Sequence, residues 1–262
     1  QSKLHARIMM GSRDEPFAKP LERTPEDPFG RIKGEYGISA ANVAKFDVHH
    51  GLVIFREHNP LRFSRESLMD YIDISQRWIE AAHQQDPEAR YPLIIWNCLW
   101  RAGGSVTHGH FQLVLTRDMH YPRVERLRRA ALEYKQKFHS DYFTDWLQVH
   151  SDLECATRVG NVGVISHLAP VKDQEVILMS DRFDNDLKEV LYKVLTTYIF
   201  RLGVTSFNMA ISFPPLSATS EDWSGFPVMV RLVDRGDADS RTSDIGAMEL
   251  YAQNVVASDP LA

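Results

Sequence analysis

One stretch, WNCLWRAGGSVTHGHFQLVL at residues 96–115, limits what this chain can fold into more than any other. It starts as an apolar strand and ends as a second apolar strand. Between the two lies a turn that contains Gly103, Gly104 and Ser105. Apolar runs joined by such a turn predict strands of one sheet. Because the turn offers backbone N–H groups and a hydroxyl, it suits an anionic oxygen such as that of a phosphate.

Three polar side chains follow this turn at a spacing of two residues, namely His108, His110 and Gln112. Side chains two apart in a strand point to the same face, so we expect these three to line one wall while Phe111 and Leu113 face the core. A neutral imidazole beside a phosphate can act as a nucleophile, and a neighbouring amide can neutralise developing charge. The alternative is a pair of surface histidines on an edge strand. The pattern favours phosphate chemistry on a histidine.

The composition excludes several classes of protein. The 262 residues suffice for one large domain or two small ones. A formal net charge of −5 argues against binding to a nucleic-acid backbone, and no apolar run is long enough to span a membrane. Cys98 and Cys155 lie far apart and predict neither a disulfide framework nor a thiolate zinc site. We expect a cytoplasmic protein with no nucleic-acid or membrane partner.

The order of hydrophobic patterns predicts an α+β fold, in which helices pack against a largely antiparallel sheet. Residues 1–37 are rich in Pro, Gly and charge and predict an N-terminal arm. After the arm, VIFREHNPLRFSRESLMDYI can be laid over VILMSDRFDNDLKEVLYKVL. We therefore predict a catalytic repeat at 38–162 and a second, degenerate repeat at 163–262. The second carries VMVRLV in place of the histidine strand and is not expected to do chemistry.

Hydrophobic periodicity locates the individual elements. Strands are predicted at 38–45, 50–56, 91–97, 111–117, 159–166, 176–180, 207–213 and 227–234. Helices are predicted at 64–83, 124–139, 187–202 and 247–256, with residues 141–147 extending the second helix or starting another. Ser64 should cap the first helix, and Asp181 and Asp184 should open the third. The arginines of the second helix are expected on a solvated face: Arg123, Arg126, Arg128 and Arg129.

The spacing around His110 resembles that of one family. Asn97, Gly103 and Ser105 precede His110 by 13, 7 and 5 residues, and His-x-His-x-Gln completes the pattern. This pattern is similar to that of the histidine-triad superfamily, in the branch of galactose-1-phosphate uridylyltransferase and the nucleotide-sugar phosphorylases. HHGLVIFREHNPLRFSRESLMDYI and DIGAMELYAQ also resemble that branch. The resemblance implies a HIT-like fold of two degenerate repeats and a nucleotidyltransferase.

The resemblance also implies a role for each matching residue. The middle histidine of the family is the nucleophile, so His110 would take a nucleoside monophosphate as a phosphohistidine adduct. Gln112 matches a residue that holds a phosphate oxygen, and it implies transfer because hydrolase branches have a third histidine there. With His108 and Ser105, these two form the expected catalytic set. The nucleotide-binding set that the resemblance implies is Asn97, Gly103, Gly104, Ser105 and Gln112.

Two further assignments rest on the resemblance. Glu249 matches a position that contacts the sugar. His108 and His58 match zinc ligands of some members, but the paired cysteines of the family have no counterpart before residue 98. Two ligands do not complete a zinc site, so we expect no required metal or cofactor and keep His58 and His108 as candidates for zinc. The acids of SRDEP, residues 12–16, could form a metal patch but are expected to face water.

The resulting hypothesis is a ping-pong nucleotidyltransferase. Its substrate would be a nucleoside diphosphate sugar or similar nucleotide, and its acceptor a sugar 1-phosphate or inorganic phosphate. A dinucleoside polyphosphate phosphorylase or a hydrolase of nucleotide conjugates is an alternative within enzymes. A non-catalytic nucleotide-binding protein is an alternative of another class. The family also implies a possible homodimer.

Overall fold

The computed structural model describes residues 2–10, 15–240 and 242–255. Over these residues the fold is built on one antiparallel sheet of nine strands, in the spatial order β1-β2-β4-β3-β8-β9-β7-β6-β5. Helices pack against both faces of this sheet, so the predicted α+β class is confirmed. The strands are β1 (Gly37–Ala41), β2 (His49–Phe55), β3 (Tyr91–Cys98), β4 (His110–Thr116), β5 (Ala156–Val159), β6 (Val162–Ser166), β7 (Val176–Ser180), β8 (Phe207–Ser212) and β9 (Val228–Asp234).

The helices fall between these strands and in the arm. They are α1 (Ser2–Met9), α2 (Pro20–Arg23), α3 (Arg65–Gln85), α4 (Pro122–Phe138), α5 (Tyr142–Asp152), α6 (Asn185–Phe200) and α7 (Ala247–Tyr251), with 3-10 turns at Pro16–Ala18 and Trp100–Ala102. No helix of the described residues is long and apolar enough to cross a membrane.

Three element predictions need correction. The arm contains helices α1 and α2, which its composition, rich in Pro, Gly and charge, did not predict. The single strand predicted at 159–166 is wrong, because the chain reverses at Gly160, where φ is +62°, and forms the hairpin of β5 and β6. The last predicted helix ends at Tyr251, and Val256 lies outside the described residues.

Helix α3 shows how the sequence determines an element. The hydroxyl of Ser64 accepts a hydrogen bond from the Ser67 N–H at 3.1 Å, while the Ser67 hydroxyl accepts from the Ser64 N–H at 2.8 Å. This capping box confirms the predicted helix start. Leu68, Tyr71 and Ile72 are buried on one side of the helix. Each such side chain contributes about 1.5–3 kcal/mol when fully buried.

The two faces of the sheet have different roles. On one of them, the helix face, Trp96, Phe111 and Leu113 pack against α3 and α6 in the main core, as predicted for the latter two residues. The opposite face, the site face, carries His110 and Gln112. Helices α4 and α5 cover its second half through a smaller apolar cluster.

The two halves of the sheet have corresponding strand orders when each half is followed outward from the central pair of strands. From the β3–β8 pair, one half continues to β4, β2 and β1, and the other continues to β9, β7 and β6, with β5 as an additional strand at its edge. Both halves therefore present corresponding strands to the site face. The division into an arm and two repeats with the bounds given above stays a prediction.

The solvated arginine face predicted for α4 is wrong at one position. Arg123, Arg126 and Arg129 are exposed, but Arg128 is buried, with 7% of its surface exposed. Its guanidinium donates to both carboxylate oxygens of Glu125, at 2.8 and 2.6 Å, and to the Asp222 carbonyl at 2.8 Å. The pairing with Glu125 neutralises the buried guanidinium charge of Arg128.

We expect Glu125→Ala to lower the free energy of unfolding by about 3–5 kcal/mol, because it leaves the buried Arg128 charge without its partner. Denaturant titration would measure the loss. Glu133→Ala removes an exposed acid from the same helix and should change stability by less than about 0.5 kcal/mol. Equal effects of the two substitutions would contradict the stabilising role of the buried pair.

A buried histidine makes stability depend on pH. His120 is 1% exposed and is surrounded by the rings of Tyr91, Tyr121 and Trp223. Its Nδ1 accepts the Tyr121 N–H at 2.8 Å, while its Nε2 makes no hydrogen bond among the described residues. Burial lowers the pKa of His120 from 6.5 to about 4, although the charge of Glu125 opposes the shift.

The unfolded chain therefore binds a proton at His120 before the folded protein does. As the pH falls from about 6.5 to about 4, we expect this group to remove about 3 kcal/mol of unfolding free energy, with no further loss below that range. His120→Phe keeps a neutral ring and should abolish this contribution. The difference between the two proteins in denaturant titrations at pH 7, 5.5 and 4.5 isolates it. Parallel stability curves would contradict the assignment.

Candidate functional site

The site lies on the site face, where β4 begins and β3 ends. Strand pairing places His110 beside Ile54, Gln112 beside Ile95, and Asn97 opposite Asn208 of β8. The two halves of the sheet therefore meet at this point. Of the residues predicted from the sequence, His110, Gln112 and Asn97 are brought onto neighbouring strands of one surface.

The imidazole of His110 is held in one tautomer. Its Nδ1–H donates to the carbonyl oxygen of His108 at 2.7 Å, which leaves the lone pair on Nε2. Burial and, to a lesser extent, the nearby charge of His108 lower the pKa of His110 from 6.5 to about 4. The ring is consequently neutral near pH 7. The Phe17 ring packs edge-on against it, with centroids 5.0 Å apart.

The carboxamide of Gln112 is oriented by a second histidine. The Phe46 N–H donates to Nδ1 of His50 at 3.0 Å, so the ring proton of neutral His50 lies on Nε2. Nε2 is 3.2 Å from Oε1 of Gln112 and donates to it. Burial lowers the pKa of His50, which favours this neutral form. The amide nitrogen of Gln112 is thus left to donate to a ligand.

The glycine turn is shaped by close backbone contacts. Gly103 has φ of +84°, a left-handed conformation that favours glycine, and the Gly104 N–H donates to the Leu99 carbonyl at 3.0 Å. A Cβ atom on Gly104 would lie only 2.9 Å from the carbonyl oxygens of Asn97 and Leu99. Ser105 is exposed, and its hydroxyl makes no hydrogen bond among the described residues. The turn therefore places an open hydroxyl after a tightly packed Gly-Gly pair.

The Asn97 side chain is fixed from the second half of the sheet. The amide nitrogen of Asn208 donates to Oδ1 of Asn97 at 2.7 Å and to the Ala102 carbonyl at 2.8 Å. Arg235 donates to Oδ1 of Asn208 at 2.6 Å and is itself paired with Asp244 at 2.7 Å. Because Oδ1 of Asn97 already accepts a hydrogen bond from Asn208, the amide nitrogen of Asn97 is the atom that remains to donate to a ligand.

The contacts of His108 differ from those of His110 and Gln112, although the Phe17 ring packs against both histidines. His108 precedes β4, and its Nδ1 lies 2.9 Å from Oε1 of Glu15, while Nδ1 of His58 lies 2.6 Å from the same oxygen. The side chain of Glu15 is only 15% exposed, so the expectation that it faces water is wrong. Among the described residues, Glu15, His58 and His108 form a three-residue group whose ligand atoms lie within 4.8 Å of one another.

The hydrogen bonds of this group define its chemistry. Nε2 of His108 donates to the Phe55 carbonyl at 2.7 Å, and Nε2 of His58 donates to the Ile8 carbonyl at 2.8 Å. In neutral rings both Nδ1 atoms then present lone pairs to a carboxylate, which is an acceptor as well. A cation shared among them, either a proton or a metal ion, resolves the repulsion. The donor set of one oxygen and two nitrogens suits zinc.

The hydrogen bond that Glu249 makes is local and does not reach the residues described above. It belongs to the short helix α7, and its carboxylate accepts the Gly246 N–H at 3.0 Å as part of a helix cap. The sugar-contacting role implied for it stays a prediction.

Sequence comparisons return no relative. No protein-family model and no curated protein match the chain. Solved structures do match. A uridylyltransferase superposes with a TM-score of 0.70 at 15% identity, over 91% of this chain and 85% of that one. An ADP-glucose phosphorylase from Arabidopsis thaliana, with bound ADP-glucose, superposes with a TM-score of 0.68 at 14% identity, over 90% and 83%. A DUF4931 family protein from Bacillus cereus gives 0.56 at 13% identity, over 87% and 93%.

The chain has the histidine-triad-like fold. The resemblance read from residues 96–115 is thereby confirmed at the level of the fold, which is all that identities of this size show.

Several residues of the candidate site carry no local signal in the sequence. Within the histidine-triad-like fold, His50 reaches Gln112 from β2, and Asn208 reaches Asn97 from β8. Glu15 and Phe17 reach the histidines from the arm. These contacts join residues far apart in the chain, and only the folding of the strands and of the arm brings them together.

Proposed function

We propose that this protein is a nucleotidyltransferase that works through a nucleoside monophosphate adduct on His110. The observation that carries the proposal is the state of that ring: buried, neutral, and locked through Nδ1 so that Nε2 keeps its lone pair. An activated nucleophile of this kind divides a difficult transfer into two easier steps. The fold shared with a uridylyltransferase and an ADP-glucose phosphorylase supports the same reaction class.

In the first step, Nε2 of His110 attacks the α-phosphorus of a nucleoside diphosphate sugar. A bond from nitrogen to phosphorus forms, and the bond from phosphorus to the bridging oxygen breaks, so the sugar 1-phosphate leaves with the electron pair. The ring becomes cationic, and the His108 carbonyl that accepts its Nδ1–H stabilises this charge. The free amide ends of Gln112 and Asn97 can donate to the phosphoryl oxygens.

In the second step, a phosphate oxygen of the acceptor attacks the adduct and His110 leaves as a neutral imidazole. Two in-line displacements give net retention at phosphorus. With a sugar 1-phosphate as acceptor the enzyme is uridylyltransferase-like; with inorganic phosphate it is a phosphorylase. The side chains contribute chiefly by positioning and by neutralising charge.

A zinc ion forms a separate part of the proposal. Glu15, His58 and His108 would hold it and leave a fourth position for another ligand. Bound there, it would supply a positive charge that ties the arm to the strand ends. Metal analysis of the purified protein should give up to one zinc per chain, falling to background in His58→Ala. Glu26→Ala, an exposed acid of the arm, should keep the metal. Equal metal content in the two variants would contradict the site.

Isotope exchange tests the proposed reaction. With labelled sugar 1-phosphate and no second acceptor, a ping-pong enzyme should return the label to the nucleoside diphosphate sugar. A panel of acceptors then separates the activities by product: nucleoside diphosphate with inorganic phosphate, a new nucleotide sugar with another sugar 1-phosphate, or monophosphate in water alone. Absence of exchange despite net turnover would contradict the covalent route. The homodimer implied by the family stays a prediction, which sedimentation can test.

A further inference from the structure

A cavity lies on the site face, mainly in the half of the sheet that lacks His108 and His110. It has a volume of about 540 Å³ and lies between the first part of α4 and strands β3, β8 and β9. Most of its walls are aliphatic or aromatic, including Leu127, Phe226 and Met229. Sites for small ligands are typically concave, mostly apolar and about 300–1,000 Å³ in volume. The cavity meets these criteria.

The strand registers relate this cavity to the site around His110. One row of residues crosses the centre of the sheet through β4, β3, β8 and β9, in the order Gln112, Ile95, Ala210 and Arg231. Gln112 and Arg231 therefore occupy corresponding places on either side of the centre. They lie three strand spacings apart, or about 14 Å.

The polar pairs in these two places also correspond. Gln112 is held by His50 of β2, and Arg231 is held by Glu175, which directly precedes β7; its Nε donates to Oε1 at 2.7 Å. The other oxygen of Glu175 accepts from His167 Nδ1 at 2.9 Å. Two residues before Arg231 stands Met229, where the first half has its nucleophile. Arg231 and Glu175 thus form a hydrogen-bonded polar floor of the cavity. This floor contains no nucleophile, so it can bind a ligand without reacting.

We propose that this cavity binds a planar heteroaromatic ring of the nucleobase class. A sugar fits poorly, since each hydroxyl left unpaired against apolar walls costs about 1–3 kcal/mol. The Arg231 side chain is 32% exposed, and the N–H groups not engaged by Glu175 match a carbonyl or ring nitrogen at the edge of a base. Because the carboxylate of Glu175 balances the guanidinium charge, the floor favours a neutral ring over a free phosphate. Arg123 is exposed at the rim.

Such a ring has two sources. It is either a second ring of the substrate whose phosphate reacts at His110, in which case the assignment rests on the proposed function, or a separate effector. Ring binding itself is independent of the reaction and is measured without it.

The methyl group of Met229 reports on the cavity. In protein labelled with ¹³C at the methionine methyls, its resonance is assigned by its absence in Met229→Leu. Adenosine and uridine should shift it through their ring currents, whereas cyclohexanol should not saturate the site. Leu127→Trp fills the cavity from α4 and should weaken nucleoside binding at least about tenfold, while Arg126→Trp, on the exposed side of the helix, should not. An unmoved resonance, equal binding of cyclohexanol, or an ineffective Leu127→Trp would overturn the proposal.

A two-ring probe, diadenosine tetraphosphate, separates the sources. If the ring belongs to the substrate, this probe should shift the Met229 resonance at a lower concentration than adenosine, and Leu127→Trp should raise the concentration needed for adduct formation. If the ring belongs to an effector, Leu127→Trp should leave adduct formation unchanged. Both results support the site. If the Met229 resonance shifts in a protein that never forms an adduct, the proposed function is contradicted and the ring-binding site is supported.

Discussion

Replacing His110 by Ala should abolish adduct formation and lower turnover by about 10⁴-fold or more, because the nucleophile of a covalent mechanism has no substitute in the site. The neighbouring His50 cannot take over, since its Nε2–H donates to Gln112 and its Nδ1 accepts from the Phe46 backbone. Rapid-quench measurement of the first turnover would give the rate constant for the adduct step directly.

The smaller variant His110→Gly leaves space for an imidazole ring. Free imidazole should restore part of the turnover by attacking the α-phosphorus from the vacated position. A matched control is His139→Gly, an exposed histidine at the end of α4, which should keep full activity. Full activity of His110→Ala would contradict the assignment of the nucleophile.

Replacing Asn208 by Asp should lower the rate constant of the adduct step by about 100-fold, because a small misplacement of a positioning group is sufficient for a loss of that size. The substitution keeps the size of the side chain but removes the donor that fixes Oδ1 of Asn97 and bonds the Ala102 carbonyl. Asn161→Asp is the matched control, since Asn161 is an exposed asparagine that bonds the half-buried Asp184. It should leave the rate unchanged.

A double-mutant cycle separates positioning from direct contact. If Asn208 acts through Asn97, the variant Asn97→Ala should be as slow as the double variant Asn97→Ala with Asn208→Asp. Additive losses would show that Asn208 acts on the ligand by another route.

Local patterns in the sequence predict those features that depend on neighbouring residues. The order of hydrophobic patterns predicted the α+β class, and the Ser64 cap predicted the start of α3. Both depend on periodicity or on hydrogen bonds within a few residues, which a single sequence carries.

Features that depend on long-range pairing could not be predicted in this way. Glu15 looked like a loop acid, and only its approach to His58 and His108 gives it a partner. Arg128 looked solvated because it lies in a run of arginines, yet it pairs with Glu125 and donates to the carbonyl of Asp222, which lies in the loop between β8 and β9. The fixed tautomer of His110 likewise follows from a backbone bond that spacing does not specify.

The most direct test of the central claim is the intact mass of the protein after brief incubation with nucleoside diphosphate sugars, quenched in base where phosphohistidine survives. The account predicts a gain of one nucleoside monophosphate in the wild-type protein and none in His110→Ala, with the added mass identifying the base. Turnover of such a substrate with no adduct on the wild-type protein, or an adduct that persists in His110→Ala, would contradict it.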